Sequence, residues 1–182
     1  MVSPMKTIHL FTALGLRTSA TPLGLASALL LALVTGGLAA WALPLALGPA
    51  ALAGLLSALL MFTSEWLHQW GHARAARQVG YPMTGMNFFF IFAASQYPAD
   101  EPELSARLHI RRALGGWWVN VVLGAALMPV AFYLWPGGGV LAWVSACLAV
   151  WNFFVVGLGA LIPLYQPFET DGGTILRYWG KR

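Results

Sequence analysis

The stretch Ser64-Glu65-Trp66-Leu67-His68-Gln69-Trp70-Gly71-His72-Ala73-Arg74-Ala75-Ala76 decides how the rest of the chain is read. His68 and His72 are one helical turn apart, so on a helix both imidazoles leave from the same face. That is the spacing of the zinc-binding H-E-x-x-H helix, in which two histidines hold the metal and the glutamate serves as general base. Here the glutamate position is Gln69. An amide accepts no proton at neutral pH, and general-base assistance contributes about 10²–10⁴-fold in rate. The metal half of the motif is present and the base half is replaced.

At about 100° per residue, Glu65 falls about 60° from His68, on the histidine face and one turn toward the helix N-terminus. Three roles fit it: a substitute base, a third metal ligand, or a hydrogen-bond partner that orients a histidine. Two histidines at this spacing also occur on ordinary helices as surface or hydrogen-bonded residues. A glutamate joining them inside an apolar segment is rarer, because ionisable groups in lipid are costly.

The segment before this stretch is apolar for a long way. The chain has 182 residues, of which 59% are hydrophobic and only 9% charged, against about 25% charged in soluble domains. No charged side chain occurs from Thr18 to Ser64 or from Ala113 to Phe168. Each gap holds two membrane crossings of about 20 residues. The composition therefore predicts an all-α polytopic membrane protein, residues 1–182 forming a single integral-membrane domain. Cys147 is the lone cysteine, so neither an internal disulfide nor a cysteine zinc site is available. The net charge is +4, but the bases flank apolar spans in the positive-inside pattern, which argues against nucleic acid as a partner.

In order, residues 1–21 read as a cytoplasmic lead, 22–164 as the membrane core and 165–182 as a cytoplasmic loop and tail. The first span is expected at residues 23–43 and a turn at Pro44 and Gly48-Pro49. Ala40-Trp41-Ala42 has the form of a signal-peptide cleavage site, yet the apolar run before it is longer than a signal core. The second span, residues 50–78, carries the histidine face in its last third. Residues 86–92 are aromatic, uncharged and too short to cross, and read as a re-entrant or interfacial extended segment. Residues 100–114 suggest a short surface helix with Glu101 and Glu103 in its first turn. His109, among arginines there, reads as a surface residue. The third and fourth spans are expected at residues 115–135 and 140–164, with a loop at 165–173 and a short helix after it. Four spans with the amino end inside put all ten Lys and Arg on the cytoplasmic side. Both termini are then cytoplasmic, and the histidines and Asp171 face the same half of a cell (inner) membrane.

Several of these segments together resemble the site-2 protease family of intramembrane zinc metalloproteases, over about Ala50 to Trp179. His68-Gln69-Trp70-Gly71-His72-Ala73 is similar to that family's H-E-x-G-H-A helix, and Gly116-Trp117-Trp118-Val119-Asn120 to its G-P-x-x-N. Asn152, Pro163 and Asp171-Gly172-Gly173 resemble its N…LP…DGG segment. The resemblance implies zinc held by His68, His72 and Asp171, with water on the metal attacking a peptide bond of a membrane-spanning substrate near the cytoplasmic face. It also implies that Asn120 and Asn152 contact substrate. Three ligands with an open fourth position is the arrangement of a catalytic zinc. The departures are Gln69, Trp117 in place of proline, and a longer loop between Pro163 and Asp171.

Two further readings stand beside the protease. One is a catalytically inactive relative that keeps the metal and binds membrane-protein partners without hydrolysis. In it a fourth protein ligand from Glu65 would close the zinc site. The other is a small transporter using the ionisable cluster as an ion path, although no internal repeat supports it.

Overall fold

The computed structural model describes residues 6–165 and 169–181; Pro167 of the expected loop, the start of the lead and Arg182 lie outside the described residues. Among the described residues, four helices are long and apolar enough to cross a membrane, over Pro22–Ala42, Leu47–Gln78, Ala106–Gly137 and Gly139–Leu161. Their outward surfaces carry Leu29, Leu33, Leu59, Phe132 and Leu141, each more than half exposed. The interior between the first two is made of small residues such as Ala39 and Ala53. Large apolar groups outside and small ones between helices is what lipid, rather than water, selects.

The all-α expectation is corrected by a four-stranded sheet. Strands β1 (Ile8–Ala13) and β2 (Leu16–Ala20) form a hairpin, and β3 (Gly85–Phe88) and β4 (Ala93–Gln96) a second one. β2 pairs in parallel with β3, Arg17 opposite Gly85 through Ala20 opposite Phe88. The first hairpin replaces the plain lead. Its turn places Leu14 at φ 50° and Gly15 at φ 75°, both positive as a two-residue turn of matching twist requires. Arg77 donates to the Leu14 carbonyl and ties this unusual leucine to the second long helix. The re-entrant segment is the β3–β4 hairpin, so its backbone groups are satisfied by pairing.

Helix α1 (Pro22–Ala42) begins where Thr21 accepts from the Gly24 N–H and donates its hydroxyl to the Phe89 carbonyl. One residue thus caps α1 and anchors it to the end of β3. Helix α2 (Leu47–Gln78) starts earlier than expected. Gly48-Pro49 lies in its first turn, where proline's missing N–H has no intrahelical partner to lose. The sheet packs on the last third of α2 through Leu16, Ala20, Met86 and Phe88 against Ala73 and Ala76.

The separate surface helix is also corrected. Residues expected in it belong to one continuous helix, α3 (Ala106–Leu134), and Glu101 and Glu103 precede it, outside its first turn. Nothing in Leu114-Gly115-Gly116-Trp117 breaks the hydrogen-bond ladder, since proline is absent there. The fourth span is α4 (Gly139–Val150), continued by a π-helical stretch over Trp151–Leu158 and a 3₁₀ turn at Gly159–Leu161. Helix α5 (Asp171–Tyr178) follows.

Arg112 holds the segment after β4 to α3. Its guanidinium donates to both carboxylate oxygens of Glu101 at 2.9 Å and lies 3.5 Å from the Tyr97 ring centroid. The side chain is buried, so removing it strands the Glu101 charge. Arg112→Met is expected to destabilise the protein by on the order of 3 kcal/mol, read as a lowered unfolding midpoint in detergent.

Candidate metal centre

His68, His72 and Asp171 come together from α2 and α5 with one ligand atom of each within 4.8 Å of the others. The His72 Nε2 is 3.0 Å from the His68 Nε2 and 3.2 Å from Asp171 Oδ1, and His68 Nε2 is 3.6 Å from Asp171 Oδ2. Both histidines are about 5% exposed.

The proton positions follow from the hydrogen-bond network. His72 Nδ1 faces the Arg112 carbonyl at 2.8 Å. A carbonyl only accepts, so that nitrogen carries the hydrogen. For His68 the deduction runs through two asparagines. The Leu148 carbonyl accepts from Asn152 Nδ2 at 2.9 Å, which turns Asn152 Oδ1 toward Asn120 Nδ2, also at 2.9 Å. Asn120 then presents Oδ1 to His68 Nδ1 at 2.9 Å. The Ser64 hydroxyl donates to the Leu60 carbonyl and accepts from Asn152, closing the other end. Each Nδ1 is therefore N–H, which leaves each Nε2 as the nitrogen turned toward Asp171 and able to ligate a metal.

With both imidazoles neutral, two lone pairs and a carboxylate this close repel, and a metal cation between them turns that repulsion into attraction. Tetrahedral zinc with ligands at about 2.0–2.1 Å spaces neighbouring donors by about 3.3 Å, which the 3.0–3.6 Å separations bracket. Asp171 Oδ2 is buried without a hydrogen-bond partner. The donor set fits zinc: three ligands, with both histidines oriented from behind.

Local sequence explains the convergence. Gly71 and Gly115 let α2 and α3 approach so closely that a Cβ on Gly71 would strike the Gly115 carbonyl. At Gly116 a Cβ would meet Nε2 of both histidines. Asp171 opens α5, whose cap Thr170 donates to the Ile162 carbonyl and accepts from the Leu164 and Gly173 N–H groups. Gly172 lies against the Leu161 carbonyl, so the Asp-Gly-Gly run brings α5 flush onto the end of the fourth span. The far end of α5 is held by Tyr178, stacked on His109 at 4.1 Å. His109, half-buried and outside the ligand group, thus makes a contact between α3 and α5 that its spacing gave no sign of.

The remaining expected residues lie close by. Asn120 and Asn152 are fully buried, and their amides are engaged inside the protein. Through these bonds they orient His68. Glu65 stands outside the three-residue ligand group. Its Oε1 accepts from the Ala93 N–H at 3.0 Å, and its Oε2 is buried without a partner. Gln69 donates to the Ala93 carbonyl at 3.0 Å and accepts from the Ser95 hydroxyl at 2.7 Å. Trp117, at the position of the expected proline, continues α3 unbroken.

The sequence matches no protein-family profile and no curated protein. The fold is similar to that of the solved site-2 protease from Methanocaldococcus jannaschii, with a TM-score of 0.56 and 23% identity, over 94% of this chain and 70% of that one. At that identity the likeness is one of fold. The chain has a site-2-protease-like fold, with four helices long and apolar enough to cross a membrane among the described residues, a small sheet packed on the second of them, and a His-His-Asp group that could hold a metal ion.

Proposed function

We propose that this chain is a zinc-dependent intramembrane endopeptidase acting on membrane-spanning proteins or peptides. In this reading it is a single domain in a cell (inner) membrane, with both termini and the metal site toward the cytoplasm. The observation that carries it is the convergence of the His68 and His72 Nε2 atoms with the Asp171 carboxylate. His68, His72 and Asp171 hold the metal. Asn120 and the Arg112 carbonyl keep the imidazoles in the ligating tautomer. Zinc supplies Lewis acidity for attack of water on a peptide carbonyl. The proton is taken at Glu65, the carboxylate one turn before His68 on the histidine helix, whose Oε2 makes no hydrogen bond among the described residues. Gln69 moves no proton.

The test is cleavage of a membrane-spanning peptide by zinc-loaded protein in proteoliposomes. Wild type is expected to cleave. Glu65→Gln should lose about 10²–10⁴-fold in turnover while keeping its zinc. A second reading, a metal-binding relative without hydrolysis, draws on the amide at position 69. Zinc-loaded wild type that leaves every peptide intact would favour it.

A further inference from the structure

An extended residue shows its N–H and C=O on the same side, and a neighbouring strand normally answers with one acceptor and one donor. At Ala93, on the outer edge of β4, α2 supplies both. Glu65 Oε1 accepts from the N–H and Gln69 Nε2 donates to the C=O, each at 3.0 Å. Glu65 and Gln69 are one turn apart on the helix, so their side chains reach the same strand residue. The Ala93 carbonyl only accepts, which assigns Nε2 of Gln69 to it and leaves Oε1 for the Ser95 hydroxyl. Glutamine donates to the carbonyl and accepts from the hydroxyl without having to take up a proton, as a glutamate there would. A carboxylate there would set oxygen against oxygen.

We infer that Glu65 and Gln69 form a clamp for one strand residue, Ala93, with Gln69 the positioning residue that locks β4 against the metal-bearing face of α2. Position 69 is then committed to a backbone carbonyl, and a glutamate placed there does not restore a base but opens the clamp. The clamp also closes the β4 edge at Ala93, where an unpaired strand would otherwise invite pairing. This holds whether or not the protein hydrolyses peptides, since the clamp is read from backbone exchange and not from turnover.

The experiment is hydrogen exchange over residues 89–96 in full-length, zinc-loaded protein in detergent, for two isosteric swaps in opposite directions. Glu65→Gln retains an oxygen that accepts from the Ala93 N–H and is expected to exchange like wild type. Gln69→Glu loses the donor and is expected to exchange about tenfold faster, with zinc still bound. A role that rested on side-chain size would leave both variants alike. Equal exchange in wild type and Gln69→Glu overturns the inference, as does Glu65→Gln exchanging as fast as Gln69→Glu. Should Gln69→Glu fail to accumulate, Ser95→Ala removes only the orienting hydroxyl. It is expected to raise exchange at Ala93 a few-fold, about what one weakened hydrogen bond allows, and unchanged exchange there overturns the clamp.

Discussion

Gly116→Ala is expected to strip the protein of its zinc, from about one metal per chain to a level near that of His68→Ala/His72→Ala. The substitution adds one methyl group on α3. By helix propensity alone it should stabilise, since alanine is favoured over glycine by about 1 kcal/mol in a helix interior. The site reverses the sign. The added Cβ would meet Nε2 of His72 and of His68, the two atoms that must face the metal. Neither imidazole can retreat freely, because each is held through Nδ1, to the Arg112 carbonyl and to Asn120. The methyl therefore either displaces the rings from those partners or pushes the helices apart. Metal content by elemental analysis of detergent-purified protein, beside far-UV circular dichroism to follow helix content, checks it. Full zinc in a folded Gly116→Ala protein would mean that the histidines bind metal in some other arrangement.

The second large effect is expected at Asn152, which touches none of the three ligands. Asn152→Leu keeps the branching and the number of side-chain heavy atoms but removes the link between the Leu148 carbonyl and Asn120. The buried Asn120 amide loses its acceptor, at a cost of about 1–3 kcal/mol for a stranded group. More tellingly, Asn120 is then free to turn, and His68 Nδ1 no longer has a fixed acceptor. Zinc affinity should fall about 10–100-fold, as when the partner behind a metal-binding histidine is lost. Competition with a chelator measures this directly. The π-helical stretch beginning at Trp151 carries Asn152 into that position, an instance of a local irregularity where function needs a side chain re-aimed. A variant that lost stability but kept wild-type zinc affinity would show Asn152 to be packing alone.

How far the residues could be read in advance depended on how local their physics is. The two uncharged runs set out four membrane crossings, since a crossing needs only about 20 apolar residues in succession. The His68/His72 pair was legible because one helical turn puts both on a face whatever surrounds them. Asp171 entered through its Asp-Gly-Gly context, and the structure brings it within reach of both histidines. The extent of α3 was misjudged because charge was taken to end a span, whereas a helix runs on through Arg111 and Arg112 for as long as its ladder is unbroken.

By itself, then, the sequence determined four helices long and apolar enough to cross a membrane, the histidine face and the absence of a carboxylate at position 69. Only the tertiary structure decided the sheet, because β2 and β3 meet across more than 60 residues and are each too short to announce themselves. It alone decided what Gly116 and Asn152 do, since an empty space beside two nitrogens and a relay of amides are properties of neighbours distant in the chain. The same holds for Gln69. In sequence it is a motif glutamate missing; in the fold it is a donor opposite the Ala93 carbonyl, a role set by a partner that no local spacing reveals.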